Sequence, residues 1–571
     1  MNRIDEENQF ACLAHALDAA AAGDTAYHFY GAKGELEHVL SYHDLRAQAV
    51  QLARKLKSLN LPRGARMAIV AETNPLFHVY FFACQYAGII PVPVPAAIQL
   101  GGQDAYVNQL RRLLQSCLAS VAVAPEGFVE FLDRAAAPLA MEVCGGVELF
   151  EALPESDAEL EPLTTGEAAY LQYTSGSTRF PRGVEMTQEA ALNNLREICD
   201  HGVCVTEDDR LVSWLPFYHD MGLVGFVLAP LYRALSVHYL SPRTFAMRPR
   251  LWLKLISDNK GTVSSSPPTG YALCATRLRE ADQQRYDLSS WRVACVGAER
   301  IHAEHLRRFA ALLGPVGFDP KAFVACYGMA ECGLAISFAP IGDGLTVDLV
   351  DKDLMIQDGL ATPAEENILE LVDCGAPLPS YETKICDNDG NTLAERECGR
   401  ICVRGPSVMR GYFGDIESTR EVLSSDGWLD TGDIGYRIGE HIVVTARQKD
   451  VIIVNGRNLW PQDLEHLAES TPGVRLGDTS AFSVTRPNGD ELAVLVVETR
   501  KSQPELTDKL AGLMRLHFGV TPYVDMTPPR TLPRTSSGKL SRSQARAQFL
   551  TRMTWDEQGW PTAVEVNQAN A

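Results

Sequence analysis

The chain has 571 residues, of which 46% are hydrophobic, 22% charged and 8% aromatic. That profile fits an ordinary globular protein of about three or four domain-sized units and excludes a disordered or fibrous chain. With 52 basic against 72 acidic residues the net charge is −20, a poor match to duplex nucleic acid or an anionic membrane surface.

The first ten residues, MNRIDEENQF, carry acids where a signal peptide needs an apolar core, so secretion is not expected and the cytoplasm is. Arg66-Met67-Ala68-Ile69-Val70 reads as a short apolar strand. The most apolar stretch, VYFFACQYAGIIPVPVPAAI (79–98), has a membrane-spanning length. Its alternate prolines and its glycine predict a helix running into a strand instead, and no transmembrane segment. Val121-Ala122-Val123-Ala124 is the next strand. Ala168-Ala169-Tyr170-Leu171-Gln172-Tyr173 has the run of a buried strand, and Thr187-Gln188-Glu189 opens a helix with Thr187 as its cap.

Between them, YTSGSTRFPRG (173–183) holds many hydroxyls and few side-chain carbons. Packing does not need such a composition, because small polar residues bury little apolar surface. A strand-to-helix loop rich in backbone N–H groups and hydroxyls suits phosphate. It is not a Walker A loop, since no Lys-Ser/Thr follows a glycine at the required spacing. Ser536-Ser537-Gly538-Lys539-Leu540 fails that pattern too, with Pro533 in the place of the first glycine.

Trp291 to Val296 is a further strand, and the alternation of helices and strands from about 40 to 340 predicts α/β layering. From about 365 to 445 the texture changes to short β segments and turns, with Asp387-Asn388-Asp389-Gly390 a hairpin turn rather than a calcium loop. A small α+β unit follows Arg447-Gln448-Lys449-Asp450 to about 546, before a loosely held tail. The fourteen cysteines include no CxxC pair and no zinc-ligand spacing, so they read as reduced, buried small hydrophobes.

Five further stretches bear on the hydroxyl-rich loop: Ser213 to Gly222 (SWLPFYHDMG), Gly297-Ala298-Glu299, Tyr327-Gly328-Met329-Ala330-Glu331, Thr431-Gly432-Asp433 and Ser537-Gly538-Lys539. Each is weak alone, yet in this order and spacing they form a specific set. From about residue 10 to 546 the chain resembles the adenylate-forming superfamily of acyl-CoA ligases, luciferase-type enzymes and peptide-synthetase adenylation domains. Within it the sequence is most similar to the fatty acyl-AMP ligases. The similarity rests on Arg179 in the phosphate loop, LPFYHDMGL at 215–223, Ala330 before the glutamate, and the run from Lys449 through Trp460-Pro461-Gln462-Asp463. The interval from Glu331 to Cys374-Gly375 also has room for the extra segment of those ligases. Arg182 stands where many superfamily members have lysine.

The resemblance implies an α/β fold with two parts. A large adenylation domain of layered α/β subdomains occupies 1–446, with the extra segment near 341–371. A small mobile α+β domain occupies 447–571, hinged at Lys449. It implies that Thr174, Ser175, Gly176, Ser177 and Thr178 cradle the ATP phosphates and that Glu331 holds Mg²⁺. Asp433 takes both ribose hydroxyls with help from Arg447. Gly297, Ala298, Glu299 and the run Tyr327, Gly328, Met329, Ala330 frame adenine. His219 lines the junction of phosphate and acyl tunnel. Lys539, on a flexible tip in the basic run 530–546, bridges the carboxylate and the α-phosphate. The implied reaction uses ATP and Mg²⁺ to turn a fatty acid into acyl-AMP, which then passes to the phosphopantetheine thiol of an acyl carrier protein. Transfer to free coenzyme A is the first alternative, and a non-catalytic nucleotide- or acyl-binding protein is another. Chain length, the particular carrier and the oligomeric state are not legible in the residues.

Overall fold

The computed structural model describes residues 10–96, 102–174, 181–278, 285–454, 457–500, 504–535, 539–556 and 558–563. Among these, nine strands form one sheet, in the order 376–377, 335–338, 323–328, 293–296, 263–266, 210–213, 236–240, 26–30, 36–41. The strands from Phe323–Gly328 across to Ala26–Tyr30 run parallel. Buried on both faces, they read as apolar runs such as Val293-Ala294-Cys295-Val296. A second, parallel sheet orders Ile90–Val94, Arg66–Val70, Ala119–Val123 and Val143–Gly145.

The spanning-length stretch divides as anticipated. Asn74 caps the helix Pro75–Ala87 through Phe77 N, and Gly88 ends it in the left-handed region with φ 73°, ahead of the strand Ile90–Val94. No described helix is long and apolar enough to cross a membrane.

One local expectation is corrected. Ala168–Tyr173 is a strand and Gln188–Glu197 is a helix capped by Thr187, but a second strand, Gly183–Thr187, lies between them. It pairs antiparallel with the first, so the hydroxyl-rich loop joins two strands of a hairpin rather than a strand and a helix. Val184 and Met186 are buried while Glu185 between them is half-buried, the period-two alternation of a strand.

A four-stranded antiparallel sheet follows, in the order Glu382–Cys386, Gly399–Arg404, Leu429–Ile438, His441–Arg447. Its last strand ends on Arg447, and the turn Gln448–Asp450 leads into the C-terminal region. There Thr479–Thr485, Glu491–Glu498 and Tyr523–Thr527 form a sheet, accompanied by helices Pro461–Glu469, Pro504–Phe518 and Arg542–Arg552.

The segment 341–371 is the second correction. Val347–Asp351 and Ile368–Val372 are strands, paired with each other, but the stretch between them is not only a polar loop. It contains the helix Lys352–Asp358, capped by the Asp351 side chain at Leu354 N and ended by Gly359 at φ 67°. Val350, Met355, Ile356 and Leu371 pack into one apolar cluster with Ile452, Leu459, Leu464 and Ala468 of the C-terminal region.

Candidate active site

The loop after Tyr173 is closed at its base by a hydrogen bond from Thr174 N to the Arg182 carbonyl, 3.0 Å. Ser175, Gly176, Ser177 and Thr178 lie outside the described residues, as do Arg179 and the tip Ser537-Gly538. Arg182 stacks on the Tyr412 ring at 4.9 Å and faces Glu421 at 3.6 Å. Tyr412 Oη donates to Glu331 Oε1 at 2.8 Å. Met409 N donates to the Glu331 carbonyl, so backbone and side chain of Glu331 are both fixed. Burial pushes the Glu331 carboxyl above the usual carboxylate range, the Tyr412 hydrogen bond opposing the rise. A buried carboxylate held this way gains most when a cation arrives.

Asp433 is also buried. Tyr327 Oη donates to its Oδ2 at 2.8 Å, and Arg447 Nε lies 3.3 Å from its Oδ1. The hairpin register makes that second contact, since Asp433 and Arg447 are direct cross-strand partners. Burial raises the Asp433 pKa, with the Arg447 charge working against it.

The turns that frame these carboxylates need small residues. A Cβ on Gly328 would meet the Leu334 carbonyl oxygen at 1.8 Å, and one on Gly297 would meet the Cys326 oxygen at 2.7 Å. Ala298 follows in the left-handed region at φ 66°, a conformation unusual for a residue with a Cβ. Glu299 accepts from Thr269 Oγ1 at 3.0 Å. Met329 and Ala330 are buried at the entry to the short turn that carries Glu331.

His219 caps the short helix that begins at Asp220, and its Nδ1 lies 2.6 Å from Asp220 Oδ1. Lys539, from the far C-terminal region, donates Nζ to the Ala298 carbonyl at 2.9 Å. Burial pushes the Lys539 pKa below the usual lysine range, while the charges of Glu299, Asp220 and Asp433 oppose the drop. Lys539 therefore shares one charge neighbourhood with residues from three distant parts of the chain. Arg542 pairs with Glu465 at 2.6 Å and with Asp450 at 3.3 Å, tying the turn that carries Lys449 to the C-terminal region.

Several partners escaped the sequence reading. Asp220 was visible inside the histidine segment, but only the fold shows it facing both His219 and Lys539. Tyr412 had no motif to mark it. Arg300, directly after Glu299, pairs at 2.9 Å with Asp463 of the Trp460-Pro461-Gln462-Asp463 run and stacks on Trp460. Beside Gly297 and Ala298 an apolar cavity opens between the nine-stranded sheet and the helical layer around 198–230.

The AMP-binding enzyme family matches residues 15–413. A Caulobacter vibrioides protein provisionally named acyl-CoA synthetase is 42% identical over 95% of this chain and 96% of its own. The medium-chain-fatty-acid–[acyl-carrier-protein] ligase JamA of Moorena producens is 31% identical, with 93% of each chain covered. A solved structure from a study of fatty acyl-adenylate ligases of E. coli and L. pneumophila superposes with a TM-score of 0.90. It is 44% identical and covers 95% of this chain and 98% of that one. The chain belongs to the AMP-binding enzymes of the adenylate-forming superfamily.

Proposed function

We propose that this protein converts a fatty acid and ATP into acyl-AMP and pyrophosphate, then delivers the acyl group to the phosphopantetheine thiol of an acyl carrier protein. The observation that carries the first half is the seat of Lys539 at Ala298, beside Asp220, Glu299 and Asp433. In the reaction a carboxylate oxygen attacks the α-phosphorus, and the bond to the bridging oxygen of pyrophosphate breaks with its electron pair leaving on pyrophosphate. Negative charge gathers at one centre, so catalysis consists of positioning and charge neutralisation. Lys539 supplies an ammonium there, in a partly desolvated place where a charge counts several-fold more than in water. Asp433 accepts from the ribose hydroxyls, and Arg447 and Tyr327 hold its carboxylate in place. Asp220, paired with His219, lines the apolar cavity at its charged end.

Among the described residues no cluster of three or more metal-ligating side chains forms. Glu331, a buried hard-oxygen carboxylate, would hold Mg²⁺. Bound there, the ion would supply neutralisation of phosphate charge, and Tyr412 keeps the Glu331 carboxylate oriented for it.

The acceptor reading is supported by the apolar cluster that joins the 347–372 segment to the C-terminal region. Each large apolar side chain in it contributes roughly 1.5–3 kcal/mol when removed from water. Met355 and Ile356 against Leu459 and Leu464 thus resist the rotation that coenzyme A would need. JamA, named as a carrier-protein ligase, supports the same acceptor. ATP–pyrophosphate exchange dependent on fatty acid tests the first half. Product analysis with holo carrier protein or coenzyme A tests the second.

A further inference from the structure

The apolar cavity beside Gly297 has a direction that strand register defines. Leu211, Val263, Ser265, Cys295 and Gly297 line one wall of it. They stand at alternate positions along three neighbouring parallel strands, so they share one face of the sheet. Val263 is level with Leu211 and with Val293, and Ala298 lies five residues beyond Val293. From the charged site the cavity therefore descends at most about 16 Å before reaching the Val263 level, at roughly 3.3 Å per residue, the turn at Gly297-Ala298 shortening the path beyond the strand Val293–Val296.

The far end is built. Val203 and Val205 both line the cavity while Cys204 between them, in the left-handed region at φ 47°, is exposed, so the turn lays two apolar side chains across the opening. Leu235 joins them, two residues before the level at which Val237 pairs with Leu211. Arg292 holds this piece of chain down. Its Nη1 donates to the Val203 carbonyl at 3.2 Å and its Nη2 to the Cys204 carbonyl at 3.0 Å. Its Nε donates to Asp209 Oδ1 at 2.9 Å. Asp209, nearly fully buried, also accepts from Thr206 N at 2.7 Å and Thr262 Oγ1 at 2.6 Å. Gly202 lies against the Phe338 ring so closely that a Cβ there would stand 2.5 Å from it, which leaves this turn no room to retreat inward.

We propose that Val203, Val205 and Leu235 form a closed floor to the acyl cavity, held by Arg292 as a positioning residue, and that this floor restricts the protein to medium-chain fatty acids. The claim rests on the adenylation reading above and adds its substrate class. An extended alkyl chain advances about 1.3 Å per carbon, from C–C bonds near 1.5 Å at tetrahedral angles, so the available depth takes up to about twelve carbons. Within the cavity each methylene buried adds about fourfold to binding. Beyond the floor a longer chain has to displace Val205 or fold back.

The test is kcat/KM for pyrophosphate release with octanoate, dodecanoate and hexadecanoate, in the full-length protein and four variants. The parent is expected to use hexadecanoate at least tenfold less well than dodecanoate. Val205→Ala, which opens the floor, should raise the hexadecanoate-to-dodecanoate ratio at least fivefold. Val263→Phe, which lifts the floor, should lower the dodecanoate-to-octanoate ratio by a similar factor. Arg292→Leu should behave like Val205→Ala, and Arg292→Lys should stay closer to the parent. Because each readout is a ratio between acids, a variant that is only partly folded still reports on the floor. A parent that uses hexadecanoate as well as dodecanoate, or a failure of either ratio to move, overturns the proposal. Pyrophosphate release with no acid at all overturns the adenylation reading itself, and the floor as an acyl stop with it.

Discussion

The Lys539 ammonium lies 2.9 Å from the carbonyl oxygen of Ala298, a residue 241 positions earlier in the chain. That contact brings the C-terminal region onto the charged site, and its removal makes the first prediction. Lys539→Ala should lower ATP–pyrophosphate exchange by at least ~10²–10³, typical of losing one preorganised charge-stabilising group, with ATP affinity retained. The lowered Lys539 pKa adds a pH signature. The ammonium is the working form and is lost as pH rises through that pKa, so the rate should fall on the basic side earlier than for an ordinary lysine. Lys539→Arg should remove that basic limb. An unchanged exchange rate in Lys539→Ala would remove the residue from the chemistry.

Asp433 and Tyr327 separate binding from turnover. Asp433→Ala leaves the ribose hydroxyls unpaired and should weaken ATP binding by about 1–3 kcal/mol, roughly five- to 150-fold. Tyr327→Phe removes one donor to Asp433 and should cost less, about 0.5–1.5 kcal/mol, mostly as a higher KM for ATP. Calorimetric titration with ATP checks both, and parental affinity in Asp433→Ala would return Thr431-Gly432-Asp433 to an ordinary turn.

Glu469 predicts a pH dependence of stability in the C-terminal region. Burial raises its pKa to about 7, although Thr479 Oγ1 and Gly477 N both donate to it. The folded protein thus holds this proton more tightly than the unfolded chain. The associated stability is fully present below the unfolded pKa and is lost as pH rises through about 7. Glu469→Gln, which keeps an acceptor oxygen without the charge, should remove that slope. Above neutral pH it should stabilise the protein by on the order of 1–3 kcal/mol relative to the parent. Thermal unfolding of both proteins at pH 5.5 and 8 measures it, and equal differences at the two pH values would contradict the assignment.

The segment 347–372 makes the fourth prediction. Asp348 is tied to the antiparallel sheet by Arg396 at 3.0 Å and Tyr436 Oη at 2.7 Å, while Met355 and Ile356 face the C-terminal region. Ile356→Asp buries a charge in that contact and should loosen it. Limited proteolysis near the Gln448–Asp450 turn should become faster, and acyl-CoA should appear when coenzyme A is supplied. Faster proteolysis without acyl-CoA would leave the segment a packing element with no part in acceptor choice.

Much of this site was legible because its chemistry sits in short, ordered motifs. Glu331, Asp433 and Lys539 could be named from the sequence, and the fold gathers partners around each of them. The misread pieces share a cause. Gly183 to Thr187 is too short for its alternation to stand out beside a glycine and a cap, so the hairpin looked like a single loop. The helix Lys352–Asp358 buries only Met355 and Ile356, and its other residues give the polar texture of a loop. Tyr412, Asp463 and Arg292 act through partners at least 81 positions away, and no local pattern announces such pairs.

The account stands most directly on what accumulates when the unmodified protein is given ATP, Mg²⁺, dodecanoate and a choice of acceptor. It predicts acyl-AMP and pyrophosphate with no acceptor present and little acyl-CoA with coenzyme A. Adding a holo acyl carrier protein should then consume acyl-AMP and yield the acylated carrier. Rapid acyl-CoA formation by the unmodified protein would contradict the acceptor assignment and the bracing role of 347–372. Absence of acyl-AMP with every fatty acid would contradict the account at its centre.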